Sequence, residues 1–137
     1  NGELARVIRA AHDLRAEGVE EVLVSLGSAG AVLACPEGTW YSPSPDVSVV
    51  STVGAGDSLV AGYLIGKHQH LPPPRRLALA VAYGAAAVSM PGTSIPTPDQ
   101  VADFSAGVLP NPERREELGT DQVKEERNQA QDDERRK

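Results

Sequence analysis

The apolar side chains of this chain recur with two different periods, and the changes between them divide the sequence into helices and strands. From Glu3 to Glu17 they return at every third or fourth position, which predicts an amphipathic helix ended by Gly18 as its C-terminal cap. The apolar stripe of this helix consists of Leu4, Val7, Ile8, Ala11 and Leu14. Residues 75–90 are apolar nearly all round, so we expect a second, buried helix there.

Short apolar runs predict the strands. Val22 to Leu26 follows the first helix and is typical of a strand buried on both faces of a parallel sheet. Ala31 to Cys35 and Thr39 to Ser42 predict a second and a third strand. Asp46 to Val50 alternates and is rich in β-branched residues, which predicts another strand. Strands mixed with helices in this way indicate an α/β fold.

A glycine turn, Ser-Thr-Val-Gly-Ala-Gly-Asp-Ser at residues 51–58, joins the last of these strands to a helix with apolar residues at helical spacing. Gly54 and Gly56 remove side chains where backbone amides must come close to a ligand. The first turn of the helix also offers unpaired N–H groups at its positive end, so the segment predicts an anion site. Asp57 would repel a bound phosphate, which favours a role as a base on the hydroxyl of a second reactant.

The same turn has less specific interpretations. Asp and Ser are favoured at helix starts, so the segment also fits a simple capped helix. A dinucleotide-binding fingerprint would need glycine at Leu59, and a nucleophile elbow would need glycine at Val60. A Walker A loop would need a lysine that the segment lacks. These three motifs are therefore excluded.

Gly56 to Leu59 spells the G-D-S-L motif of a family of serine esterases, with Ser58 as the nucleophile. Such a serine needs a histidine base held by an acid. Those esterases usually carry Asp-x-x-His, which is missing here, and His68 and His70 follow Ser58 closely in sequence. The esterase is therefore kept only as the weaker alternative.

The glycine turn is preceded by Val-Leu-Val-Ser-Leu-Gly-Ser-Ala-Gly at residues 22–30. Together the two segments resemble the C-terminal half of the ribokinase-like (PfkB-type) carbohydrate kinases, over about residues 3–104. The chain is most similar to the 1-phosphofructokinase branch, with the tagatose-6-phosphate kinases close by. The resemblance implies the C-terminal part of a ribokinase-like three-layer α/β/α fold.

The resemblance also implies roles for the residues of both turns. In the family the glycine turn is the anion hole and its aspartate is the catalytic base, which also meets the substrate. This assigns the catalytic roles to Gly54, Ala55, Gly56 and Asp57. The Ser-Leu-Gly-x-x-Gly turn lies against ATP in the family, and turn chemistry alone would describe it as a hairpin loop. The implied nucleotide-binding residues are Ser25, Leu26, Gly27, Ser28, Ala29, Gly30, Gly56 and Asp57.

One position departs from the family pattern. Ser51 stands where many members begin the motif with aspartate, a replacement that fits the phosphofructokinase branch. The departure removes support for a cation role at this position, and no residue is assigned as a metal ligand.

Composition and charge narrow the class of protein. With 137 residues and 40% apolar content, the chain is one domain or less. A net charge of −6 argues against nucleic acid as a partner, because a phosphate backbone demands a basic surface. Cys35 is the only cysteine and no signal-like segment opens the chain, so we expect a cytoplasmic protein. The apolar stretch 77–90 is shorter than the ~20 residues that span a bilayer, so no membrane is expected.

Composition changes after residue 109. Residues 113–137 hold nine acidic and seven basic residues with only Leu118, Val123 and Ala130 to bury, which cannot form a core. We therefore expect a kinase-like part at 1–109 and a disordered or loosely helical charged tail at 110–137.

The resemblance implies ATP-dependent phosphorylation of a sugar phosphate, with fructose 1-phosphate converted to fructose 1,6-bisphosphate and with ATP and Mg²⁺ as cofactors. Family kinases are considerably longer than this chain, so we expect a fragment that is inactive alone. The alternative is a non-catalytic nucleotide-binding or interaction fragment. Expected partners are a small sugar phosphate and ATP, and the sequence leaves open whether the chain forms a homo-oligomer.

Overall fold

The computed structural model describes residues 2–91, 96–105, 112–115 and 129–136. Four helices and four strands occur in these ranges, and residues 129–135 are also helical and exposed. In chain order they are α1 (Gly2–Ala16), β1 (Val22–Ser25), β2 (Ala31–Cys35), β3 (Gly38–Ser42), α2 (Ala55–His68), α3 (Pro73–Val88), α4 (Pro98–Ser105) and β4 (Glu113–Arg114). A single 3₁₀ turn, Gly27–Ala29, lies between β1 and β2.

The strands form one antiparallel sheet in the order β1-β2-β3-β4. The expectation that Val22 to Leu26 lies inside a parallel sheet is wrong for the described part of the chain. β1 ends at Ser25, pairs antiparallel with β2 and is only partly buried. The reason is the short connection from β1 to β2, since neighbouring strands joined by so few residues must run in opposite directions.

Helices cover both faces of the sheet, which gives the three layers expected from the sequence. β2 is buried along its whole length. Leu33 of β2 packs in one cluster with Leu59 of α2 and Leu77 of α3. Ala34, on the opposite face, packs with Ala11 of α1. The prediction of a helix at Glu3–Glu17 is thus confirmed within one residue at each end.

The helices α2 and α3 pack closely against each other. A Cβ added at Gly62 would lie 2.9 Å from the carbonyl oxygen of Leu79 and 2.9 Å from Tyr83 Cβ, so only glycine fits this crossing. The prediction that α3 is buried is confirmed. It begins earlier than expected, because Pro73 occupies a first-turn position where the missing N–H costs nothing.

The predicted strand from Asp46 to Val50 is wrong. This segment has no regular structure, and Val49 and Val50 are 64% and 58% exposed. The N–H groups of Val50 and Ser51 both donate to the carbonyl oxygen of Val88 at the end of α3, at 2.7 and 3.1 Å. They are therefore satisfied by a helix end rather than by a neighbouring strand.

The Thr97-Pro98-Asp99 sequence predicts a capped helix start, with Val101, Phe104 and Val108 to dock the helix, and α4 begins with that cap. The N–H of Gln100 donates to Thr97 Oγ1 at 3.3 Å, and the N–H of Thr97 donates to Gln100 Oε1 at 2.9 Å. Val101 docks the helix against Ala82 and Ala86 of α3. The side chain of Phe104 and all of Val108, which were also expected to dock this helix, lie outside the described residues.

Two parts of the predicted tail are described. Residues 113–114 form β4 at the edge of the sheet, and residues 129–135 form an exposed helix. The division at residue 109 stays a prediction. Across the described ranges, no helix is both long and apolar enough to cross a membrane.

Candidate active site

The two glycine turns singled out in the sequence meet at one cavity of about 630 Å³. The turn after β1 forms one wall, the turn before α2 forms a second, and the face of α3 forms a third. The residues that line it from the two turns are Ser25, Gly27, Ser28, Gly30, Thr52, Ala55 and Gly56. The structure therefore brings together two segments that lie more than twenty residues apart in sequence.

The turn after β1 depends on glycine. Gly27 and Gly30 have φ angles of 58° and 104°, in the region that other residues rarely adopt. A Cβ added at Gly30 would lie 1.9 Å from the carbonyl oxygen of Ser42, which no side chain tolerates. The N–H of Leu26 donates to the carbonyl oxygen of Gly30 at 2.8 Å, and this bond closes the turn.

Not every residue assigned to the nucleotide faces the main cavity. Ser25, Gly27, Ser28 and Gly30 line it, whereas Leu26 and Ala29 line a smaller cavity of about 350 Å³ behind the turn. A turn alternates the direction of its side chains, so a run of six residues cannot present all of them to one ligand.

The second turn leaves N–H groups available at the start of α2. Gly54 caps the helix in the left-handed conformation, with φ 80°, and no side chain caps it. The first helical bond runs from the N–H of Ser58 to the carbonyl oxygen of Gly54 at 3.0 Å. The N–H of Ala55 makes only a long bond of 3.4 Å to Thr52, and those of Gly56 and Asp57 have no acceptor among the described residues. These donors point from the positive end of the helix and suit an anion.

Asp57 lies in the same first turn. Its side chain is exposed, and it makes no ion pair with any residue that the structure describes. The residue directly follows Gly56, which lines the main cavity. A carboxylate that is accessible and next to free amide donors can accept a proton from a hydroxyl group brought to the anion.

Ser58 does not have the surroundings of a nucleophile. The residue is 1% exposed, and its Oγ has no hydrogen-bond partner in the described part of the chain. His68 is the last residue of α2, ~15 Å from Ser58 along the helix axis at 1.5 Å per residue, and His70 follows two residues after the helix ends. The structure therefore gives the esterase alternative no support.

Sequence reasoning missed part of the cavity wall. Asp46, Val47 and Val49 line the cavity from the segment that was expected to be a strand. Gly84 and Ala85 of α3 also line it, and a Cβ added at Gly84 would lie 3.6 Å from the carbonyl oxygen of Ala55. Gly84 therefore lies both at the contact with α2 and at the wall of the cavity.

A cluster of charged residues at the other end of α2 supports the scaffold. Glu21, just before β1, accepts hydrogen bonds from Tyr63 at 2.9 Å, from Arg76 at 3.4 Å and from Lys67. Burial acts to raise the pKa of Glu21, but the hydrogen bonds from Lys67 and Tyr63, together with the positive charges of Lys67 and Arg76, outweigh it and lower the pKa. Burial also raises the pKa of Cys35, so its thiol is a poor nucleophile.

Known proteins resemble this chain over most of its length. The family model described as pfkB family carbohydrate kinase matches residues 1–100. The 1-phosphofructokinase of Escherichia coli strain K12 is 42% identical over 106 residues, which cover 77% of this chain and 34% of the relative. The aminoimidazole riboside kinase of Salmonella typhimurium is 39% identical over 98 residues, covering 66% of this chain and 31% of the relative.

Solved structures give the same result. Phosphofructokinase-2 from Escherichia coli in complex with potassium matches with a TM-score of 0.68 and 32% identity, over 73% of this chain and 33% of that one. Ribokinase from Thermotoga maritima matches with a TM-score of 0.68 and 27% identity, over 72% and 34%. The chain spans about a third of the length of the curated relatives it matches. Its fold is ribokinase-like, and the chain belongs to the pfkB family of carbohydrate kinases.

Proposed function

We propose that this chain is the nucleotide-binding and catalytic part of an ATP-dependent sugar-phosphate kinase, with fructose 1-phosphate as the acceptor. The observation that carries the proposal is the convergence of both glycine turns on one cavity, with free amide donors beside an accessible carboxylate. The similarity to 1-phosphofructokinases supports the choice of sugar. A cytoplasmic location stays a prediction from the sequence.

In the proposed reaction, ATP supplies the phosphoryl group. Asp57 accepts the proton of the hydroxyl group on carbon 6 of the sugar. The hydroxyl oxygen forms a bond to the γ-phosphorus, and the bond from that phosphorus to the β,γ-bridging oxygen breaks, so ADP leaves. The N–H groups of Ala55, Gly56 and Asp57 donate to the anionic oxygens of the group in transfer.

The Ser25 to Gly30 turn would hold the nucleotide against α3. The flat wall formed by Gly84 and Ala85 leaves room for a planar group between this turn and the helix. Mg²⁺ in nucleotide sites is usually held by phosphates, water and one or two carboxylates. The described residues include no group of three or more His, Cys, Asp or Glu side chains that could hold a metal ion, so no residue is assigned to Mg²⁺. No step is therefore assigned to the metal.

The catalytic role of Asp57 can be tested in a chimera. This chain would replace the matching third of Escherichia coli 1-phosphofructokinase, and turnover of fructose 1-phosphate would be measured in a coupled assay. We expect the chimera to be active and Asp57→Asn to lower turnover by ~10²-fold or more while ATP still binds. Asp13→Asn, which changes an exposed acidic residue of α1 outside the cavity, is the matched control and should keep most of the activity. Near-normal turnover of Asp57→Asn would refute the assignment.

A non-catalytic nucleotide-binding fragment is the second candidate. It is favoured by an apolar face of α2, on which Val60 and Leu64 are 49% and 56% exposed one turn apart. Exposed apolar surface of this kind favours a chain that works with a partner polypeptide. Calorimetry with MgATP tests whether the cavity binds the nucleotide, and the kinase assay on the chimera distinguishes the two candidates, since ATP binding without turnover in the chimera supports the fragment. We expect weak ATP binding and little turnover from these 137 residues.

A further inference from the structure

Tyr41 of β3 makes a direct contact with the turn that forms one wall of the main cavity. Its hydroxyl donates a hydrogen bond of 2.6 Å to the carbonyl oxygen of Ala29. The turn's own backbone bonds use the carbonyl oxygens of Leu26, Gly27 and Gly30, so that of Ala29 is left for Tyr41. This bond connects the 3₁₀ turn to β3, a strand that is not part of the β1–β2 hairpin in which the turn lies.

The ring of Tyr41 is itself held in place. The guanidinium of Arg115 lies 5.7 Å from the ring centre, and Arg115 is fixed by a backbone bond to Thr39 at 2.9 Å and by an ion pair with Glu113 at 2.6 Å. Tyr41 also lines the smaller cavity and is not among the residues that line the main cavity. The side chain therefore acts as a rigid support behind the turn.

Such a support has a physical reason in the glycine content of the turn. Gly27 and Gly30 have wide backbone freedom, and the freedom lost when a ligand orders them subtracts from its affinity. A hydrogen bond that holds the turn before the ligand arrives removes part of that cost. Because Tyr41 does not line the main cavity, its hydroxyl can do so without touching the ligand.

We propose that Tyr41 is a positioning residue for the nucleotide, whose hydroxyl holds the turn of residues 25–30 in the shape that faces the main cavity. This inference rests on the proposed function, since it takes the ligand of that cavity to be ATP. None of the assignments made from the glycine motifs includes Tyr41. It acts through Ala29 and not by contact with the nucleotide.

The test compares two variants that each remove one hydroxyl group and keep the ring. Tyr41→Phe removes the bond to Ala29, and Tyr63→Phe removes the bond to Glu21 in the charged cluster at the other end of α2. Binding of MgATP to the 137-residue chain is measured by calorimetry. Hydrogen exchange of the amides of residues 26–31 is measured without ligand. We expect Tyr41→Phe to weaken ATP binding by about threefold to tenfold and to speed this exchange, with both unchanged in Tyr63→Phe.

The possible results separate the two proposals. Tyr41→Phe that binds ATP as tightly as the wild type overturns the positioning role and leaves the proposed function standing. Equal weakening by both variants also overturns it, because the effect would then be a general loss of stability. The same conclusion follows if Tyr41→Phe unfolds where Tyr63→Phe is folded. A wild-type chain that binds no ATP overturns the inference together with the proposed function.

Discussion

Gly56 offers a substitution whose effects on stability and on binding should have opposite signs. The residue lies in the first turn of α2, and a Cβ added there would meet no described atom within 4 Å. Its backbone is helical, so alanine fits without strain. Alanine is more stable than glycine in a helix by about 0.5–1 kcal/mol, because glycine loses more conformational freedom on folding. We therefore expect Gly56→Ala to stabilise the chain.

The binding effect follows from the position of the same methyl group. Gly56 lines the main cavity, and its N–H is one of the donors left free for an anion. A methyl group on this wall would keep a phosphate from approaching the amides as closely as a hydrogen bond requires. We expect ATP binding to weaken by about tenfold or more, which corresponds to roughly 1.4 kcal/mol, while the melting temperature rises by about 2–8 °C.

The assay is a thermal melt followed by calorimetry with MgATP, made on three proteins. Gly62→Ala is the matched control, since its methyl group would lie 2.9 Å from the carbonyl oxygen of Leu79 and from Tyr83. That variant should lose about 1–3 kcal/mol of stability through overpacking and bind ATP normally once folded. Unchanged ATP affinity in Gly56→Ala would show that the start of α2 is not where the phosphate lies.

Three further predictions concern the scaffold. Gly30→Ala should destabilise the chain by more than ~2 kcal/mol in urea unfolding, because the alanine would have a positive φ and would clash with Ser42. A variant with normal stability would contradict the turn geometry. Glu21→Gln should cost about 1–2 kcal/mol near pH 7, where the lowered pKa of Glu21 contributes fully to stability. That contribution is lost as the pH falls from the ordinary value of 4.5 through the lowered pKa. The difference in unfolding free energy between Glu21→Gln and the wild type should therefore shrink near pH 3, and a difference that stays constant would refute this prediction. Thr97→Ala should cost about 1 kcal/mol through the lost cap of α4, measured by the same unfolding assay, and no loss would contradict the cap.

The elements that the sequence predicted well are those with local causes. The stripe that includes Ile8 and Ala11 predicted α1, and Thr97 predicted the start of α4, because periodicity and caps depend only on neighbouring residues. The glycine motifs and the strands and helices around them predicted the fold class and both turns. The resemblance to the ribokinase-like kinases implied that the two turns serve one site, and the structure shows that residues of both turns line the same cavity.

The errors concern features that depend on distant parts of the chain. Alternation from Asp46 to Val50 is compatible with a strand, but no pattern within the segment reveals that Val88 will accept its hydrogen bonds. The parallel pairing expected for β1 failed for a similar reason, since an apolar run does not specify its neighbour. Tyr41 carried no motif at all, and its contact with Ala29 depends on the register between strands.

The carbonyl oxygen of Val88, at the end of α3, accepts hydrogen bonds from the two N–H groups where the chain enters the second glycine turn. The same helix also provides the cavity wall formed by Gly84 and Ala85. The side of α3 thus lines the cavity, and its C-terminal end holds the segment that leads to Asp57. We expect that any ligand that shifts α3 also shifts Asp57. Ligand binding in the cavity and the position of Asp57 would then be coupled through α3.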